Sequence, residues 1–509
     1  MTQADDADAD GEHSSTQPSS RDDCSWPVER VPARLDAERA HRPLDLGFVQ
    51  SFRHAILSVA AHDVEYLNDT TENIIRASRP RNLDTYYPLT LAKDLPQLPL
   101  EPPPRTLLDA FRIKGHPNLP LIHHIPIRSF SSANLPGYLA YAMATIGAMI
   151  LSESPTATDS LWSTGNTLIA SALEVDNREA RKADLINAWA LLGTYGALCA
   201  DAESWQQTNT NQGYISTAAR RLCNNPTSEA DGIVMPAFLL ADVLRAVHYG
   251  DPLTVSTLEC LTQPNQVSLA SLSIYKAQVL EHGSLPPEIA ESSSLTALVA
   301  ILADIHTFAH VLYPLSATPD PAVPPTPRSQ PSGLGTSYSS YIPFSLPNET
   351  RLASRRLHRA LELWATAYLP TSPPHTAVLY YFCKMYLALP AMQMLPSLAG
   401  YPPSLFRDGF PHEEQRVIID AELRDAPEAH KYAWQILEYT AFQGLEITSP
   451  CLPIAVFYAA LVIWRTVLLQ LDSGGHGSRK VLLVFKEELN KMCWPCCGVM
   501  AATVEILAS

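Results

Sequence analysis

The chain has 509 residues, 46% of them hydrophobic and only 17% charged, with 43 prolines against 21 glycines. That composition excludes wholesale disorder, supplies apolar residues for more than one small core, and suits many proline-punctuated helices better than a sheet. A formal net charge of −16 excludes a chain that is basic overall, so duplex DNA would repel it except through a local patch, a partner chain or a missing segment.

Residues 1–45 are rich in Asp, Ser, Thr and Gln and predict a disordered tail. Its start, Met1 to Asp10, is acidic and lacks the apolar core of a signal peptide. Only Trp26 and Val28 offer bulky contacts, which favours a solvated tail over an activation segment. Residues 46–313 form a first helical half. Within it, residues 82–104, with Tyr86, Tyr87 and the Pro102–Pro103–Pro104 run, read as an extended connector. Tyr138, Tyr141, Ala142, Thr145 and Met149 fall on one helical face, as do Leu185, Trp189, Leu192, Gly196 and Cys199. Residues 314–348, including Pro319, Pro321, Pro324, Pro325 and Pro327, predict a long Pro/Ser/Gly-rich loop. Residues 349–509 form the second half. There Leu357, Leu361, Trp364 and Tyr368 share a face, and residues 427–446, 451–471 and 480–508 each predict one helix, with Pro450 and Pro453 at the entry to the middle one. The longest apolar runs, Leu135–Leu151 and Cys451–Trp464, fall short of the about 20 residues of a membrane span, so a soluble chain is expected. Strand-like alternation is scarce and no fixed-period repeat occurs. The expectation is an all-α fold, a large irregular multi-helix bundle in two halves separated by the loop.

Chemistry-bearing patterns are weak. Nine cysteines, an odd number, stand mostly in apolar helical context, which favours reduced thiols over a disulfide framework. Cys493-Trp494-Pro495-Cys496-Cys497 holds a Cys-x-x-Cys pair, but it lacks both the strand of a thioredoxin-like motif and the second ligand pair of a zinc site. Structural thiols at a helix break are favoured. Adjacent His123 and His124 point apart, and packing roles are favoured for them. His306 and His310 have the i, i+4 spacing that can hold a metal, without the Glu of a zinc-protease helix. The only Asp-rich run, Asp5 to Asp10, lies in the tail and cannot face a cavity, as the magnesium motif of helical terpene cyclases must. Phosphate-binding and nucleophile-elbow motifs are missing. Arg351, Arg355, Arg356 and Arg359 make a basic stripe that could meet phosphate or an acidic partner, although pairing with the chain's own carboxylates is favoured. No catalytic, cofactor-binding or metal-binding residue is assigned.

One ordered set of segments resembles a known family. Pro120-Leu121-Ile122-His123 is followed by Leu135-Pro136-Gly137-Tyr138-Leu139 and then by Ala142 to Ala148, with Met143 and Gly147. Leu191, Leu192, Thr194, Tyr195 and Gly196 come next, then Ala218, Ala219, Arg220 and Arg221. Ala455 to Trp464, and Trp494 with Cys497, close the series. In this order they resemble the fungal-specific transcription factor domain, or middle homology region, over roughly residues 105–509, and are closer to members paired with Cys/His fingers. Residues Glu229 to Arg245 lack the Trp and the Glu-x-x-Arg-Arg helix of that family. Relatives also carry a zinc module, whereas upstream of Leu44 only Cys24, His13 and His41 occur, too few for four ligands per zinc.

The resemblance implies nuclear localisation and transcriptional regulation, with possible control of a metabolic or biosynthetic gene cluster. It implies no cofactor in this chain, zinc belonging to family members with an intact module. The implied partners are the transcription machinery or another regulator, a second copy in a homodimer, and DNA only indirectly. Two other readings stay open. A helical secondary-metabolism enzyme would show polar residues converging in a deep pocket with strongly shifted protonation. A protein-interaction scaffold would show a large exposed apolar patch. The regulator reading expects an apolar pocket or none.

Overall fold

The computed structural model of the chain describes residues 104–116, 119, 136–152, 155–175, 180, 182–224, 234–262, 266–281, 290–312, 346–401, 412–442, 449–470 and 480–509. Of this part 87% is helical and none is strand, so the chain is all-α, as the sequence predicts. The first half contributes α1 (Pro104–Ala110, extended by a π-helical turn Phe111–Gly115), α2 (Gly137–Ile150), α3 (Pro155–Val175), α4 (Ala183–Ala197) and α5 (Ala202–Asn224). It continues with α6 (Val234–Tyr249), α7 (Thr257–Leu261), α8 (Gln266–Gln278) and α9 (Glu291–Thr307, extended by a π-helical turn Phe308–Leu312). The second half begins with α10 (Leu346–Tyr368), α11 (Pro374–Ala388), α12 (Leu395–Leu398) and α13 (His412–Asp425). It ends with α14 (Pro427–Phe442), α15 (Cys451–Leu468), α16 (Val481–Lys491) and α17 (Cys496–Ala508).

Several expectations fall outside the described residues: the tail 1–45, the connector up to residue 103, His123 and His124, and the loop up to residue 345. Pro104 begins a helix instead of ending the connector, in keeping with proline's tolerance at a first helical position. Leu346 already opens α10, so residues 346–348 belong to a helix and not to the loop. The helix predicted over 480–508 is two helices. Pro495 has no N–H to donate and its ring clashes with a preceding helical turn, so the chain leaves α16 through an extended Met492 (φ −84°, ψ 144°) and restarts at Cys496.

Two helices that are apolar on every side organise the core. In α15 every residue from Cys451 to Thr466 is buried, including Pro453, whose missing N–H is harmless in a first turn. In α9 burial runs from Ser292 to Ala303 and resumes at Ile305 and His306. Among the described residues, Glu291–Val311 and Cys451–Leu468 are long and apolar enough to cross a membrane by length and composition, a point the apolar runs alone did not reveal. They are 78% and 89% buried inside the protein, so neighbouring helices supply the apolar surroundings that a bilayer otherwise would. The two halves share this core: α9 packs on α10 and α11, and α15 reaches back to α6. All described residues belong to one unit, Gln50–Ser509.

Two glycines mark where backbones come closest. A Cβ on Gly147 in α2 would stand 2.0 Å from the Leu107 carbonyl oxygen of α1, and one on Gly196 in α4 would stand 2.0 Å from Thr208 Oγ1 of α5. Gly193, one turn before Gly196, meets nothing within 4 Å. Gly147→Ala is therefore expected to destabilise the chain by about 1–3 kcal/mol, because a backbone carbonyl cannot turn aside. Gly193→Ala is expected to stabilise it by about 0.5–1 kcal/mol through helix propensity. Urea unfolding of the two variants checks both signs.

Candidate functional site

The most densely hydrogen-bonded polar group in the core is built on α6. This helix carries two charged residues, Asp242 and Arg245, one turn apart, with side chains 0% and 3% exposed, and His248 as a further polar group. Asp242 Oδ1 accepts from Arg245 Nη2 (2.9 Å) and Nε (3.2 Å) and from Gln212 Nε2 of α5 (3.0 Å). Its Oδ2 accepts from the backbone N–H groups of Thr254 (2.7 Å) and Val255 (3.1 Å). Gly250, in the left-handed region at φ +66°, ends α6 and turns the chain back over it. Arg245 then donates to Asp251 Oδ2 (3.1 Å), the Pro252 carbonyl (2.8 Å) and Asn209 Oδ1 (2.6 Å). Arg220 of α5 ties the same loop to α7 through the Thr254 carbonyl and Glu259. Asp242 and Asp251 share Arg245, Glu259 is met by Arg220, and the remaining donors are backbone and amide N–H groups, an arrangement that clamps α5, α6 and the following loop together.

Two histidines extend this network towards the second half. The His248 ring bonds the Ala197 carbonyl through Nδ1 (2.7 Å) and Tyr401 OH through Nε2 (2.9 Å). A carbonyl only accepts, so Nδ1 carries the proton and Nε2 accepts from the tyrosine. Burial pushes the His248 imidazole down to about 4, so it is neutral at pH 7. His306 uses the opposite tautomer: Nε2–H donates to the Asp251 carbonyl (2.7 Å) and Nδ1 accepts from Tyr386 (3.0 Å). Its i+4 neighbour His310 stacks on it at 5.5 Å between ring centroids. With both ring nitrogens of His306 engaged, this pair packs and does not ligate. No group of three metal-ligating side chains occurs among the described residues.

The cysteine segment singled out from sequence is internal as well, and the basic stripe is not. Cys496 and Cys497 are buried and Cys493 nearly so, and burial raises the thiols of Cys493, to about 12, and of Cys496, well above the usual range. The Cys496 N–H donates to the Leu198 carbonyl at the end of α4, which makes this segment a tether between the halves. In the basic stripe Arg351, Arg355, Arg356 and Arg359 are all exposed, and Arg359 pairs with Glu281 at 2.7 Å.

An open cleft of about 600 Å³ lies beside α10. Burial sorts its lining: Phe308, Leu387 and Pro390 are buried, Ser354 and His358 on α10 are half-buried, and Asp425 and Glu428 are exposed. The corner between α13 and α14 brings Glu422, Asp425 and Glu428 to one side, with Tyr432 a turn further on. Glu422 Oε2 accepts from the Ala391 N–H (3.0 Å) and fixes α13 to the turn after α11. Lys384, behind the cleft, is engaged by Glu362 and lies 5.4 Å from the centroid of the Tyr432 ring. Burial, then the nearby Lys384, lowers the His358 pKa, while Glu362 and Glu428 pull it up. This cleft is neither purely apolar nor a deep convergence of polar groups. Sequence reasoning missed it because its residues come from four separated stretches of the chain. The local signal was the acidic run from Glu413 to Glu428 around Pro427, and for the α6 cluster it was Asp242 and Arg245 at i, i+3 in a largely apolar helix.

No protein-family model matches the chain, and comparison with curated proteins and with solved structures finds no match.

Removing one partner of the buried ion pair should be costly and removing one of a surface pair should not. Arg245→Met is expected to destabilise by about 3–5 kcal/mol, since Asp242 keeps its charge without a counter-ion. Arg359→Met is expected to cost at most about 1 kcal/mol, because Arg359 and Glu281 are 57% and 47% exposed. Chemical denaturation of both variants reads the contrast.

His248 also sets a pH dependence. Its folded pKa lies below the usual 6.5, so between about 6.5 and 4 the unfolded chain binds a proton that the folded chain excludes. Its contribution is full above pH 6.5 and falls by up to roughly 3 kcal/mol as pH drops towards 4. In His248→Gln the decline in stability over that window should be shallower than in the parent, whatever the variant's absolute stability. Equal slopes would assign the pH dependence to other groups.

Proposed function

We propose that this chain is the helical regulatory domain of a transcription regulator of the fungal-specific transcription factor type, acting in the nucleus through other proteins. One observation carries the reading: among the described residues, the segments that resemble the family in order, though far apart in sequence, lie mostly in the buried helices of one core. Tyr138 to Met149 in α2 are buried, with Gly147 against α1. Leu191, Leu192, Thr194 and Tyr195 are buried in α4, and Gly196 receives α5. Arg220 pairs with Glu259, Ala455 to Trp464 lie inside α15, and Trp494 is 2% exposed.

The mechanism follows from charge. With a net charge of −16 the chain as a whole repels phosphate, so DNA is reached through a partner or a separate zinc-bearing module. The partners are the transcription machinery, another regulator or a second copy of the chain. No catalytic step and no cofactor of its own is proposed, and control of a metabolic or biosynthetic gene cluster is the proposed setting.

Joined to a heterologous DNA-binding module in fungal cells, the full chain is expected to raise or lower a reporter relative to the module alone. Output equal to that of the module alone would count against a regulatory domain. Free in solution, the chain is expected to form no specific duplex complex at physiological salt. A tight complex whose affinity falls steeply with added salt would overturn the indirect mechanism.

A further inference from the structure

We propose that the cleft beside α10 is a binding site for an organic ammonium ion carrying an apolar, aromatic-sized body. The volume, about 600 Å³, is that of a small-molecule site. Its deep part offers Phe308, Leu387 and Pro390 to an apolar group, and its outer part offers Glu422, Asp425 and Glu428 to a cation. No Lys or Arg lines it among the described residues. Lys384, which approaches the ring of the cleft's Tyr432, is engaged by Glu362. His358 is held below its ordinary pKa, so at neutral pH its imidazole, with Ser354 Oγ one turn away, adds acceptors and no opposing charge.

The three carboxylates differ in what else explains them. Glu428 stands in the first turn of α14, where a negative charge offsets the helix dipole. Glu422 accepts the Ala391 N–H. Asp425 stands at the junction, last in α13 and two residues before the start of α14, and it lines the same cleft as the other two carboxylates. Like charges are thereby gathered on a lining that holds no basic side chain. A ligand ammonium offsets this repulsion by meeting the three charges, while its body covers the apolar lining. The inference rests on the cleft and not on the regulatory role proposed above, and its test reads binding, not transcription.

The experiment is calorimetric titration of the purified full chain at pH 7 with two sets of matched probes: 2-phenylethylammonium, 2-phenylethanol and 3-phenylpropanoate, then protonated tryptamine, tryptophol and indole-3-propanoate. Each ammonium is expected to bind saturably and about tenfold more tightly than its alcohol, the sum expected of three partly exposed charge pairs, with the carboxylate weakest. Added salt should erode this preference. Asp425→Asn with Glu428→Gln, two exposed positions, should leave the thermal midpoint close to the parent's. The pair should weaken each ammonium at least about threefold and leave each alcohol unchanged. Failure of both ammonium probes to saturate, equal affinity for ammonium and alcohol, or an undiminished preference in the double variant would each overturn the proposal.

Discussion

A carboxylate with no access to water must have its charge answered from within, and Asp242 meets that demand in a way that shapes its surroundings. Five donors converge on it from α5, from α6 and from the loop after Gly250. An unanswered charge in such a place costs several kcal/mol, so these segments have one arrangement and no near-equivalent alternative. The direction of α6, the fold-back of residues 251–256 and the start of α7 are consequences of that constraint. Asp251, brought to Arg245 by the fold-back, in turn presents its carbonyl to His306 and so places α9.

The same reasoning carries across the chain's midpoint. Helices of the first half end in carbonyls that would be orphaned in a dry core. Side chains and backbone of the second half serve them or their ring partners: Tyr458 donates to the Val247 carbonyl, Tyr401 and Tyr386 donate to histidines, and the Cys496 N–H reaches Leu198. Trp364 donates to the Ser294 carbonyl, near the start of α9, and so adds a bond from the second half to the first. These bonds are directional, whereas the apolar contacts around α9 and α15 are not. Burial holds the halves together, and the hydrogen bonds select one register for them. The thiols gathered near this seam, Cys199, Cys496 and Cys497, are small buried packing groups. Burial raises those of Cys199 and Cys496, which suits inert side chains better than nucleophiles.

The cleft beside α10 contrasts with that seam. There Asp425 and Glu428 are exposed, while Glu422 accepts from the Ala391 N–H and Tyr432 meets Lys384. The seam shows how thoroughly this fold answers charge where it is buried. At the cleft, three carboxylates gather on a partly apolar hollow whose lining, among the described residues, holds no Lys or Arg.

What the sequence by itself determined was the fold class and the bulk of the helices. The 3.6-residue pattern of Leu357, Leu361 and Trp364, the buried faces of α2 and α4, and the proline boundaries are local properties, and local spacing is enough to read them. It also favoured packing roles for His306, His310 and the Cys493–Cys497 segment, through ligands that were lacking. Tertiary structure alone decided the break of the last helix at Pro495, the burial of α9 and α15 in protein, the clamp of Asp242 and Arg245, and the gathering of Phe308, His358, Glu422 and Asp425 around one cleft. Period and composition say which face of a helix is apolar. They do not say which distant helix that face meets, because the pairing is settled by shape and by the need of every buried charge and carbonyl for a partner, and those partners lie far along the chain, as Tyr458 does from Val247 and Cys496 from Leu198.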